Sequence, residues 1–210
     1  MAYPDFTLAQ LQERFGLVVQ QQANLVRDLP PVPVSDCLRE NLRRMGPVAL
    51  DVNTEKARSE FLIAPVLAEV REQLQEQISV FSGVDFNVDP EQGLRGACDF
   101  LLGLSPQQLA LEAPLVAVVE AKNENIPRGV FQCLAELVAI REFNAAAGRS
   151  LDPLLGVVTT GSNWRFLRLQ GSVATVDRDE YYLGDVEHVV GIFVAELRSA
   201  QARLAAAGRP

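Results

Sequence analysis

The stretch GACDFLLGLSPQQLALEAPLVAVVEAKNE, Gly96–Glu124, decides the reading of this chain. It contains two apolar runs of strand length, and each carries charge where a core should be dry. Asp99 lies between Cys98 and Phe100, with Leu101 and Leu102 following, and Glu120 and Lys122 close the run Leu115–Val119. Side chains alternate faces along a strand, so Glu120 and Lys122 share the face of Val116 and Val118, while Leu115, Ala117, Val119 and Ala121 fill the other. A strand apolar on both faces belongs in the middle of a sheet. Asp99 shares its face with Ala97 and Leu101. A carboxylate buried there costs several kcal/mol unless it is paired or ligates a metal. On adjacent strands, Asp99 and Glu120 can converge on one hard cation such as Mg2+, with Mn2+ as a substitute. Lys122 stands about 7 Å along the same face. An ammonium there can orient a water and offset charge growing on a phosphoryl group. The competing reading is structural: Glu120 reaches solvent at the strand end, and Asp99 pairs with Arg95 or Lys122.

Working outward, residues 7–27 carry Leu8, Leu11, Phe15, Val18 and Val19 at helical spacings. The segment LPPVPVSD, 29–36, is a stiff connector, and Ser35 or Asp36 can cap a short helix, Cys37–Met45, closed by Gly46-Pro47. A longer helix over about Glu55–Gln75 presents Leu62, Val66, Val70 and Leu74 as a stripe, with Pro65 expected to kink or interrupt it. ISVFSGVDFNVD reads as a strand pair or one bent strand broken at Ser82-Gly83. Strands Arg95–Gly103 and Pro114–Lys122, a helix Arg128–Ala147, a strand Leu154–Thr160 and a tight turn at GSN, 161–163, follow. WRFLRLQ, Val173–Val176 and a last helix Val186–Ala207 complete the pattern. The order predicts an α/β (α+β) fold with a central mixed sheet flanked by helices. Residues 1–50 form an N-terminal helical extension and residues 51–210 the main domain. The strands of Asp99 and Glu120 are expected to be antiparallel neighbours, because a loop of about ten residues joins them.

The chain has 210 residues, 19 basic and 27 acidic, for a net charge of −8. That excess argues against a broad basic footprint, though a local basic rim of Arg128, Arg141, Arg149, Arg165 and Arg168 remains open, each with a solvated face as its default. Cys37, Cys98 and Cys133 show no metal-ligand spacing and fit a reducing compartment. The N-terminus lacks a basic and then apolar leader, and no run is long enough to span a bilayer, so the expectation is a cytoplasmic protein without a membrane partner. His188, the single histidine, is expected at the surface and makes a histidine triad hard to assemble. Trp164 and Phe166 are expected in the core. Gln132 and Glu136 share one helix face, which is either solvated or functional.

Over about Glu55–Leu169 the chain resembles the PD-(D/E)xK, or restriction-endonuclease-like, nuclease superfamily. Asp99 corresponds to the motif aspartate, and Glu120 and Lys122 to the E-x-K pair. SEFLIAPVL resembles the first core helix, whose glutamate maps to Glu60; FQCLAEL resembles the glutamine motif, which maps to Gln132. GVVTTGSNWRFLRL is similar to the strand pair that follows in many members. Cys98 stands where a proline often precedes the aspartate, and Glu136 where a tyrosine sometimes follows the glutamine. The resemblance implies a restriction-endonuclease-like core and a Mg2+-dependent nuclease acting on nucleic acid, DNA rather than RNA. Asp99, Glu120, Lys122 and Gln132 would then be catalytic, and Glu60, Asp99 and Glu120 metal ligands. A homodimer is compatible with the two symmetric scissile bonds of a duplex. The alternative is a non-catalytic binding or structural module on the same scaffold, which the net charge favours.

Overall fold

A computed structural model describes residues 1–124 and 126–207. Its centre is one mixed eight-stranded sheet, β1 Val18–Gln22, β2 Ser79–Asp85, β3 Ala97–Gly103, β4 Leu115–Ala121, β5 Leu154–Thr159, β6 Asn163–Gln170, β7 Val173–Asp177 and the short β8 Tyr181–Tyr182. The strands run in the order β1-β7-β6-β5-β4-β3-β2, with β8 on β6. β4 pairs parallel with β5 and β1 parallel with β7; the other pairings are antiparallel. The α-helices among the described residues are α1 Leu8–Phe15, α2 Asp36–Val52, α3 Glu55–Arg58, α4 Ala64–Gln73, α5 Ile126–Ala146 and α6 Val186–Ala207.

The apolar pattern of β4 accounts for its central place: every residue from Leu115 to Ala121 is buried. One face of the sheet presents Phe100, Ala117, Val119 and Val157 to α4 and α6. The other presents Leu101, Val118 and Val158 to α5, which α1 backs. Trp164 and Phe166 are fully buried, each ring edge-on to Phe193. β3 and β4 are antiparallel neighbours, the pairing that the loop of about ten residues between them favours.

Several elements differ from the sequence-based expectation. Residues 7–27 are not one helix. Gly16 adopts φ +64°, its N–H closes α1 on Gln12 and Leu11, and the chain continues as β1, an edge strand of the main sheet. Residues 1–50 therefore contribute a strand as well as helices. α2 runs through Gly46-Pro47 to Val52, because the tertiary seat of Gly46 and Ala49 outweighs the one hydrogen bond that Pro47 cannot make. The helix over 55–73 is interrupted just before Pro65, as expected: between α3 and α4 it widens to a π turn, Ser59–Ile63, where Ala64 N–H reaches back to Ser59 O. The wider turn absorbs Pro65, which lacks a donor and whose ring would strike the carbonyl four residues earlier. Of the two readings of ISVFSGVDFNVD the single broken strand is the one formed: β2 takes Ser79–Asp85, and its ladder with β3 breaks at Gly83, φ +62°, opposite Asp99. His188 is not a free surface residue. Its ring packs edge-on to Tyr181 at 5.4 Å, and its side chain is 18% exposed. No helix among the described residues is long and apolar enough to cross a membrane.

Candidate active site

The β3–β4 register pairs Phe100 with Val119, and one step further sets Asp99 beside Glu120. There the ladder passes from main chain to side chain: Asp99 Oδ2 accepts the N–H of Ala121 at 2.8 Å. Lys122 N–H donates to Thr159 O at 2.8 Å, so the last bond between the parallel strands fixes where Lys122 leaves the sheet. Its Nζ lies on Glu120 Oε1, an ion pair in which Glu120 is 1% exposed. α5 covers this end of the sheet and adds Gln132 and, one turn on, Glu136. Gln132 Nε2 donates to Glu136 Oε1 at 3.1 Å.

Glu136 is fully buried, which excludes a solvated face at that residue. Through the middle of α5 every residue from Cys133 to Ile140 is buried, so that part of the helix has no solvated stripe. That all-round apolar sequence was the available sign that Glu136 lies inside. No donor among the described residues reaches Glu136 Oε2 or Glu120 Oε2. The two carboxyls face each other, an arrangement that a shared proton or a cation relieves.

Burial, and then the neighbouring charge of Glu120, holds the Glu136 carboxyl well above the usual carboxylate range. Burial and then Asp99 raise Glu120 to about 8, against the pull of Lys122. Asp99 is also raised, chiefly by burial, although the Ala121 amide and Lys122 oppose it. For Lys122 burial acts downward, but the charge and hydrogen bond of Glu120 outweigh it and raise the ammonium. A carboxyl whose folded value exceeds its unfolded value contributes stability that is full at low pH and is lost as pH rises through the folded value. Thermal stability of the metal-free protein should therefore fall from about pH 5 to about pH 9. Glu136→Gln, which keeps the amide contact and removes the titrating group, should flatten that fall. Each unit of displaced pKa is worth about 1.4 kcal/mol, or roughly 3–6 °C in a chain of this size. Parallel slopes in wild type and variant would show that Glu136 does not carry the effect.

Asp99, Glu120, Lys122 and Gln132 line one open cavity of about 390 Å³, together with Glu55, Pro4, Asn123 and Arg128. A second cavity of about 210 Å³ shares Asp99 and Glu55 and is also lined by Glu60, Lys56, Ser82 and Gly83. Glu60 lies in this neighbouring space, paired with Lys56 at 2.6 Å. Glu55, on α3, lines both cavities and was missed from sequence; its place depends on how α3 docks at the sheet edge, which no local pattern encodes. The Tyr3–Asp5 turn was also missed. Tyr3 is fully buried and its hydroxyl donates to Phe86 O at 2.6 Å, which places Pro4 in the cavity wall. Among the described residues, no set of three His, Cys, Asp or Glu side chains is disposed to hold a metal ion. Of the five candidate rim arginines, Arg128 lines the cavity, whereas Arg165 and Arg168 are paired with Glu180 and Glu196. Arg141 donates to Gly171 O and Glu142, and Arg149 lines a separate cavity with Leu151 and Leu204.

No family model matches this sequence, and no curated protein matches it either.

Proposed function

We propose that this chain is a metal-dependent phosphodiesterase acting on nucleic acid, with a restriction-endonuclease-like core. The observation that carries the reading is the placement of Asp99 and Glu120 side by side on antiparallel strands. The Lys122 ammonium lies on Glu120, at the wall of an open, polar cavity. The donor set fits Mg2+ or Mn2+. Such ions take hard oxygens, commonly from one or two carboxylates with water and substrate phosphate completing the shell. Among the described residues, Glu120 also keeps one buried oxygen without a donor. Asp99 and Glu120 would hold the ion, with Glu55 or Glu60 on the adjoining walls. Bound there, a divalent cation supplies Lewis acidity and lowers the pKa of a coordinated water.

Lys122 presents positive charge where the phosphoryl oxygens gain negative charge in the transition state. Its backbone bond to Thr159 and its ion pair with Glu120 hold it in place before substrate arrives. Gln132 offers an amide from α5 to the same cavity, and Arg128 adds a second positive charge to the wall. DNA is the proposed substrate, and a homodimer on a duplex is part of the reading.

Titration calorimetry with Mn2+ on wild type and Asp99→Asn tests the metal site. Binding to wild type and its loss in the variant are expected; equal binding by both removes the site. The accompanying cleavage assay uses supercoiled plasmid and single-stranded DNA with either ion. A second reading, a non-catalytic binding module on the same scaffold, is favoured by the net charge of −8, which repels a polyanion. It expects no cleavage and makes Lys122 a purely structural partner of Glu120.

A further inference from the structure

Gly129 lies in the first turns of α5, buried against the end of the sheet. Glycine is the poorest helix former after proline, so its presence inside a long helix needs a reason. The surroundings supply one. A Cβ at Gly129 would stand 2.6 Å from Val158 Cγ1, 3.1 Å from Lys122 Cγ and 3.4 Å from Lys122 Cε. The missing side chain therefore leaves a slot between α5 and the sheet, and the methylene stem of Lys122 lies along it. Two constraints already act on that residue: its N–H is bonded to Thr159 O at one end, and its Nζ is on Glu120 at the other. The slot fixes the stem between them.

We infer that Gly129 is a positioning residue for Lys122, and that the gap it leaves in α5 sets where the ammonium stands beside Glu120. The consequence for cleavage rests on the phosphodiesterase reading; the placement does not. A lysine stem has several rotatable bonds, and without the slot its ammonium has other rotamers within reach. A methyl at position 129 meets Lys122 closer than ordinary van der Waals contact, so the stem must shift or turn.

Packing and positioning can be separated, because the two contacts at Gly129 come from different residues. In Gly129→Ala the contact with Val158 disturbs packing; in Gly129→Ala/Val158→Ala that contact is gone and the one with Lys122 remains. The chain has only two lysines, Lys56 and Lys122, so 13C-lysine labelling gives one signal set for each. Compared with Val158→Ala alone, the double variant should recover its melting temperature, show a displaced Lys122 Cε signal and leave Lys56 unmoved. With supercoiled plasmid and Mn2+, kcat should fall about tenfold or more, since small misplacements of a catalytic group cost on that scale. KM and Mn2+ affinity should be unchanged. A Lys122 signal that coincides with that of Val158→Ala overturns the inference. In the unsubstituted protein, NOEs are expected from the Gly129 Hα protons to Lys122 Hγ and Hε, and their absence overturns it even if no variant folds. If wild type leaves DNA intact while the NOEs and the displaced signal are present, the phosphodiesterase reading falls and the positioning stands.

Discussion

Lys122→Ala should lower phosphodiester cleavage by about 10²–10³-fold while leaving Mn2+ affinity nearly unchanged. That range is the cost of removing one preorganised donor aimed at charge that develops in the transition state. An interaction made mainly in the transition state lowers kcat and kcat/KM together and leaves ground-state binding alone. The variant also tests the alternative, because Lys122 is the counter-charge of a carboxylate that is 1% exposed. Removing one partner of a buried pair leaves the other uncompensated, a loss of roughly 3–5 kcal/mol when the remaining group stays charged. Glu120 need not stay charged. Burial and Asp99 already raise it to about 8 with Lys122 present, and without the ammonium it rises further. Near pH 5 it takes a proton in the variant and the loss is small; as pH rises the cost of charging it appears, so Lys122→Ala should lose stability more steeply with pH than wild type. Cleavage by wild type that is lost in a variant still stable at low pH supports the hydrolytic reading. If wild type and variant are equally inert, and the variant is markedly less stable near pH 9, the binding-module reading holds.

The parts of this site that could be read in the sequence are those set by strand periodicity. Leu115–Val119 is apolar without interruption and ends in E-x-K, so its central position, the inward face of Glu120 and the exit of Lys122 follow from alternation alone. Asp99 in its own apolar run and a short connection gave the antiparallel neighbour. Less could be read where distant contacts override local pattern. Val18 and Val19 continue the helical spacing of Leu8, Leu11 and Phe15, yet they form β1, because β7 offers a parallel edge 155 residues later, with Gln20 bonded to Thr175. Gly16 was the local sign of the change, a glycine placed where an αL cap ends a helix. Pro47 marked a stop that α2 ignores, since packing of the helix face outweighs one missing bond. Glu55 and Glu136 illustrate two kinds of omission. The apolar surroundings of Glu136 on α5 announced its burial, whereas the approach of Glu55 to Asp99 exists only once α3 has docked.

Gly191→Ala should destabilise the protein by about 2 kcal/mol, within the usual range for an overpacked core, and lower its melting temperature by roughly 4–8 °C. Gly191 lies in α6 under the connector that joins β1 to α2. Val32 N–H donates to Glu187 O at 3.0 Å, which ties the connector to the start of this helix. A Cβ at Gly191 would overlap Pro30 O and fall 2.9 Å from Pro31 Cα. Both are main-chain atoms, so no rotamer change relieves the contact. Proline fixes φ at positions 30, 31 and 33, and the connector cannot bend locally to make room. It must lift from α6 as a unit, which uncovers Val34 and the partly buried Leu29 and Val32. Alanine regains about 1 kcal/mol of helix propensity over glycine, which is too little to offset a backbone collision of this depth. Gly184 is the matched control: a Cβ there meets nothing within 4 Å among the described residues, and Gly184→Ala should be close to neutral. The expected mode of failure is local as well as global, so limited proteolysis should cut Gly191→Ala between residues 29 and 34 under conditions that leave wild type intact. Equal melting temperatures for Gly191→Ala and Gly184→Ala would mean that the connector is not held against α6 in solution, and that β1 keeps its place on β7 without it.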